Sequence, residues 1–285
     1  MSRINDSRTA MLPTPSPTPS PSPQPNFLRV LRTFMAANLA EELEYRANLV
    51  ASVLGTLFWM GLAVLTAGVF FRQTNELGGW GFWEVAALLG VFNAVAGVVE
   101  ALLRPNIGRI VQHVRDGTLD LILAKPLDPQ LHLSFRRLVI WRGTDVLLGL
   151  GLAGYAVMRA GAAPSLESLA AFALTLGAAL AIVYAVWLGL MTLSFWFVAV
   201  ENLEILFDSV YEAARFPVSA YPRAMRFVLV YLIPIAWITT VPASALTGRS
   251  GVATAAISLA VAAAALVATR LLWRAALRRY TSAGG

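Results

Sequence analysis

Six apolar stretches, 48–71, 81–103, 138–158, 167–190, 226–247 and 252–273, are each long enough to cross a bilayer as a helix, and they dominate what this chain can become. A hydrocarbon core of roughly 30 Å takes about 20 helical residues to cross, because no water is available there to satisfy backbone polar groups. Basic residues then sort the loops. With the N-terminal segment placed inside and the side switched at each crossing, 19 of the 22 Lys and Arg fall inside, and only Arg72, Arg159 and Arg249 fall outside. The expectation is an all-α integral membrane protein of six transmembrane helices with both termini in the cytoplasm.

Composition narrows the class. A chain that is 58% hydrophobic and 13% charged, with a mean hydropathy of +0.66, is far from a soluble domain. The net charge of +6 does not point to nucleic acid, since the basic residues sit beside spans, where anionic headgroups account for them. Without cysteine there is no disulfide, thiolate metal site or thiol chemistry.

Residues 13–25, PTPSPTPSPSPQP, exclude helix and central strand, so 1–26 reads as a disordered Pro/Ser/Thr-rich leader before a membrane domain over 27–285. Phe27, Val30, Leu31 and Phe34 then recur at helical spacing with Arg29 and Arg32 off the stripe, which predicts an amphipathic helix lying along the inner interface. The alternative is a plain extension of the first span.

The 34 residues from Arg104 to Arg137 carry the most legible loop. Ile107, Ile110, Val111 and Val114 form one stripe of a helix, and Gly117 is its natural stop. Thr118 is placed to cap a short second helix with Asp120 in its first turn, Leu119, Ile122 and Leu123 on one face, and Pro126 ending it. Such a loop suits a protein partner better than an idle connection. Between Glu201 and Ala214 a further amphipathic helix sets Leu203, Leu206, Phe207 and Val210 against Glu201, Glu204, Asp208 and Glu212. That acidic stripe reads as a solvated face or as an attractor for cations. Pro234 and Pro242 interrupt the fifth span and predict a broken, partly re-entrant helix.

No Walker A loop and no HExxH occur, and His113 and His132 are isolated, so neither catalysis nor a metal site is expected. Gly149, Gly151 and Gly154 match a dinucleotide-binding spacing inside an apolar span, where close helix packing is the better reading, as it is for Gly90, Asn93, Ala94 and Gly97. Glu100, Asp145 and Asn93 lie in or near spans and read as ion-paired or as pathway residues.

The run VRDGTLDLILAKPLDP, residues 114–129, resembles the signature of a bacterial ABC-2 type permease family, in which G-T-L-D followed by L-x-K-P occurs after the second span. RFPVSAYP, residues 215–222, and LIPIAWITTVPASAL, residues 232–246, resemble later pieces of the same family. The resemblance implies the transmembrane subunit of an ATP-driven exporter in the bacterial inner membrane. It implies a coupling helix at Asp116, Gly117, Thr118, Leu119, Asp120, Ile122, Lys125 and Pro126, which docks on a separate ABC ATPase subunit present in two copies. A second permease subunit, identical or paralogous, completes the pathway. No cofactor is then bound by this chain, and ATP with Mg belongs to the partner ATPase. The competing reading is a stand-alone secondary transporter, which calls for an internal repeat with matched broken helices.

Overall fold

The computed structural model describes residues 46–125, 128–161, 164–196 and 203–280. The expected leader and the amphipathic helix over 26–46 lie almost entirely outside them. The described residues are helical. In chain order they form α1 (Arg46–Phe70), α2 (Phe82–Val114), α3 (Leu119–Leu123), α4 (Pro129–Ser134), α5 (Gly143–Arg159), α6 (Leu166–Thr192) and α7 (Leu203–Tyr211). A bent pair, α8 (Arg223–Leu232) and α9 (Ile235–Leu246), leads to α10 (Val252–Arg279). Among the described residues four helices are long and apolar enough to cross a membrane: Leu49–Phe70, Phe82–Val114, Leu166–Phe195 and Val252–Arg279. Helices α8 and α9 meet at 72°, and α5, with 17 residues, rises about 25 Å.

The central helix is α2. It starts at Gly81, whose N–H donates to the Glu84 carboxylate at 2.8 Å, and its residues from Val85 to Val95 are nearly all buried. Pro105 would break an isolated helix here, because it has no N–H to give to Ala101. A π turn over Val99–Leu103 absorbs the defect, and the Ala101 carbonyl accepts the N–H of Val139 at 2.9 Å instead. The helix therefore runs on as one piece through the Ile107 to Val114 stripe, which sequence periodicity reads as a separate cytoplasmic helix.

Helix α5 lies antiparallel to α2 at van der Waals distance, and small residues make that possible. A Cβ on Gly90 would stand 2.5 Å from the Ala153 nitrogen, and one on Gly149 would stand 2.4 Å from the Ala94 nitrogen. Gly97 is held the same way against Val146. Gly151 and Gly154 take no part, since nothing lies within 4 Å of a Cβ at either position. The pair stays in register from Val139 at Ala101 to Tyr155, whose ring meets Trp83 edge-on at 5.9 Å. Helices α6 and α10 form a parallel pair: Glu167 at the start of α6 lies beside Gly251 at the start of α10, and further along Thr269 donates to the Ala185 carbonyl at 2.9 Å. Helix α1 stands at the edge of the bundle, with none of its apolar window buried.

The fifth crossing is where sequence and structure part. The bent pair begins and ends beside the same end of α2. Ser219 donates to the Gly78 carbonyl at 2.7 Å, Arg226 donates to the Ser219 carbonyl at 2.7 Å, and Arg249 reaches Glu84 and the Gly79 carbonyl. Stretch 226–247 is therefore a re-entrant loop. Its Ile233–Pro234 bend reaches Ala185 and Ala265 around an apolar cavity of about 430 Å³. The opposite sides expected for Ser219 and for the loop at Asn75 are excluded by this contact. The chain covers that depth through α7 instead: Asp208 pairs with Arg104, Tyr211 donates to the Phe92 carbonyl at 3.2 Å, and Ser219 arrives at Gly78.

Candidate functional site

Between α1, α2, the start of α5 and α7 lies a polar cavity of about 660 Å³. It brings Asp145 of α5 together with Asn93 and Glu100 of α2, and adds Asp208, Glu212, Arg104, Arg142 and Arg215. Arg104 bridges two elements, donating to Glu100 at 2.8 Å and to Asp208 at 2.8 and 3.1 Å, while its guanidinium stacks over Trp187. Arg142 donates to Asp145 at 3.3 Å and sits 3.8 Å from Glu100. Asp145, which is buried, also accepts a short hydrogen bond from the Thr56 hydroxyl of α1. Arg215 pairs with Glu212 at 2.6 Å and lies over the Phe92 ring.

Low dielectric explains why these charges come in sets: an unpaired one at this depth costs several kcal/mol. Four carboxylates against three guanidiniums leave the walls near neutrality, rimmed by Trp59, Phe92, Trp141, Phe207 and Tyr211. Asn93 spends its amide on the Leu89 carbonyl of its own helix, at 2.8 Å. Of the acidic stripe, Asp208 and Glu212 thus face this cavity. Glu201 lies outside the described residues, as does the side chain of Glu204 in α7. The sequence places Arg104 and Arg142 within reach of Glu100 and Asp145 as pairing partners, and the structure has both pairings. Sequence reasoning missed Arg215, a loop charge in a linear reading, and the bond from Arg104 to Asp208 across the cavity.

The second cluster follows α2. Gly117 adopts φ +66°, a conformation that costs an L side chain strain, and turns the chain into α3. Thr118 does not cap that helix: its backbone is already helical, and its hydroxyl shares a 2.8 Å hydrogen bond with His113 Nδ1. Leu119 and Ile122 are buried in the chain's own core, so the face expected to dock outward is already used. The exposed apolar group of α3 is Leu121, at 69%. Asp116 is exposed, Asp120 sits in the first turn, and exposed Lys125 donates to His132 Nε2 at 3.4 Å. Pro126 lies outside the described residues.

Helix α4 went unread in the sequence although its signal was present, an Asp followed by Pro at the first helical position. Asp128 accepts from the N–H groups of Gln130 and Leu131. It also takes both ends of the Arg270 guanidinium, at 2.5 and 3.2 Å, and this hydrogen bonding holds its carboxyl below the usual range. Gln130 and Ser134 meet the Tyr184 hydroxyl at 3.1 and 2.9 Å. The loop is thereby fastened to α6 and α10 as well as to α2.

A family model described as ABC-2 family transporter protein matches residues 57–284. No curated protein and no solved structure matches the chain. The matched segment takes in α2 to α10, the α3–α4 loop and most of the polar cavity, and on that coverage the chain belongs to the ABC-2 family of transporter proteins.

Proposed function

We propose that this chain is the permease subunit of an ATP-binding-cassette exporter, working beside a second permease chain and driven by two copies of a separate ATPase. Membership of a family whose members are in general non-catalytic membrane subunits supports the permease reading. The observation that carries the rest is the braced loop after α2. A helix continuous from membrane to loop, a left-handed glycine turn and an exposed Leu121 form a lever, and Asp128–Arg270 ties its far side to α10. Movement of a partner against α3 would be passed directly to α2, and through Arg104 and Glu100 to the cavity wall.

On this reading the loop faces the cytoplasm of a bacterial inner membrane. The six crossings are α1, α2, α5, α6, the segment from α7 to Ala220, and α10, with both termini cytoplasmic and the α8–α9 loop entering from outside. Residues 27–285 then constitute the permease domain behind the 1–26 leader. Nucleotide binds the partner alone. Reconstitution of the chain with its ATPase in lipid nanodiscs tests the proposal: the pair is expected to hydrolyse ATP and the chain alone is not. Turnover by the chain free of any ATPase would reject it.

A further inference from the structure

At the far end of α2 from Gly81 lies a small cavity of about 50 Å³, lined by Arg109, His113, His132, Arg136 and Arg137 and by no carboxylate. Its basic walls differ from those of the polar cavity, where each arginine holds an acid. Among the described residues Arg109 and Arg137 form no ion pair, and both are exposed at the mouth. The cradle is built rather than fortuitous. Buried Asn106 holds the backbone of Arg137 from both sides, donating to its carbonyl at 2.6 Å and accepting its N–H at 2.7 Å. A third bond ties the same amide to the Leu102 carbonyl at 2.6 Å.

Lys125, 3.4 Å from His132 Nε2, adds a further cation behind the cleft. The His132 imidazole is pushed below its ordinary value by burial first and then by the neighbouring charges of Lys125 and Arg136. The cavity sits about two turns of helix beyond Ala101, whose carbonyl accepts the N–H of Val139 in the segment that leads into α5. For a membrane-crossing α2 that is the depth of lipid headgroups, and basic pockets between helices at that level suit phosphate.

We propose that this cleft is a phosphate-binding site, taking the phosphomonoester headgroup of an anionic phospholipid or a free phosphate of the same chemistry. Arg109 and Arg137 grip the oxygens at the mouth, and the two imidazoles face them from within. The site regulates or anchors the loop after α2 and does not depend on what the protein transports.

The test uses the full-length chain purified in an uncharged detergent, with bound ligand counted by native mass spectrometry. The probes are dioctanoyl phosphatidic acid, dioctanoyl phosphatidylcholine and inorganic phosphate. Phosphatidic acid is expected to bind at least about tenfold more tightly than phosphatidylcholine, and R109Q with R137Q to remove that preference. The control, R278Q with R279Q, is expected to leave it intact. Inorganic phosphate that competes equally well assigns a soluble phosphate to the site, whereas phosphatidic acid bound in its presence assigns the lipid. Equal binding of the two lipids by the wild-type chain, or full retention of the preference in the Arg109 and Arg137 variant, overturns the proposal. Because both side chains are exposed, the variant should melt with the wild type, and the wild-type comparison stands without it.

Discussion

At the scale of single residues, the least forgiving positions are glycines that no property of their own marks out. Gly149 and Gly151 are two residues apart in the same apolar run, yet a Cβ at the first meets the α2 backbone at 2.4 Å and at the second meets nothing within 4 Å. Gly149→Ala is expected to destabilise the protein by about 2 to 3 kcal/mol through overpacking, while Gly151→Ala should be neutral or stabilising by up to about 1 kcal/mol. Unfolding in detergent measures both, and equal effects would contradict the close packing of α2 on α5. Small-residue packing was legible in the sequence, but the partner of each glycine was not, because it depends on helix rotation. Asp128 offers a second test. Hydrogen bonding from Arg270 lowers its folded pKa, so its contribution is present above the ordinary carboxylate value and is lost as pH falls through the folded one. Melting temperatures of wild type and D128N should therefore differ at neutral pH and converge in strong acid. A gap that widens on acidification would reverse the sign and refute the bridge.

Among the elements, hydropathy finds α1, α2, α6 and α10, because each is apolar along its length. It fails at the fifth crossing for a physical reason. The segment that covers the depth beside α2 carries Asp208, Glu212 and Arg215, which look exposed in a linear reading and are compatible with the interior only because Arg104 and Glu212 neutralise them. The segment that looks apolar, around Ile233 and Pro234, turns back because the prolines deny it a continuous helix. Helix α3 is legible in the sequence, as is the turn at Gly117, but periodicity alone cannot tell a face buried in the chain's own core from one that docks on a partner. Two substitutions separate these roles. Leu119→Asp places a charge at a fully buried site and is expected to prevent folding, at a cost of several kcal/mol. Leu121→Asp should fold normally, since the side chain is exposed, and lose the ATPase partner on co-purification. Retention of the partner by Leu121→Asp would detach α3 from coupling.

For the whole molecule, the two ends of α2 organise everything else. At one end meet the Gly78–Gly79 turn, Ser219 and Arg249; at the other, the braced loop, its basic cleft and Arg270. The natural absence of cysteine makes single-cysteine labelling a direct reader of this arrangement. Asn75→Cys, Ser219→Cys and Ser250→Cys are expected to react with an impermeant reagent from the same side of intact cells, and Thr118→Cys only after permeabilisation. The central claim is that a separate ATPase drives this permease from the loop after α2, and a photoactivatable cross-linker carried on Leu121→Cys in native membranes tests it most directly. The expected result is a cross-linked product whose partner binds a labelled ATP analogue and whose yield changes when ATP is hydrolysed. Labelling of the Leu121→Cys thiol from outside the cell, together with no ATP-binding protein in the cross-linked product, would contradict it.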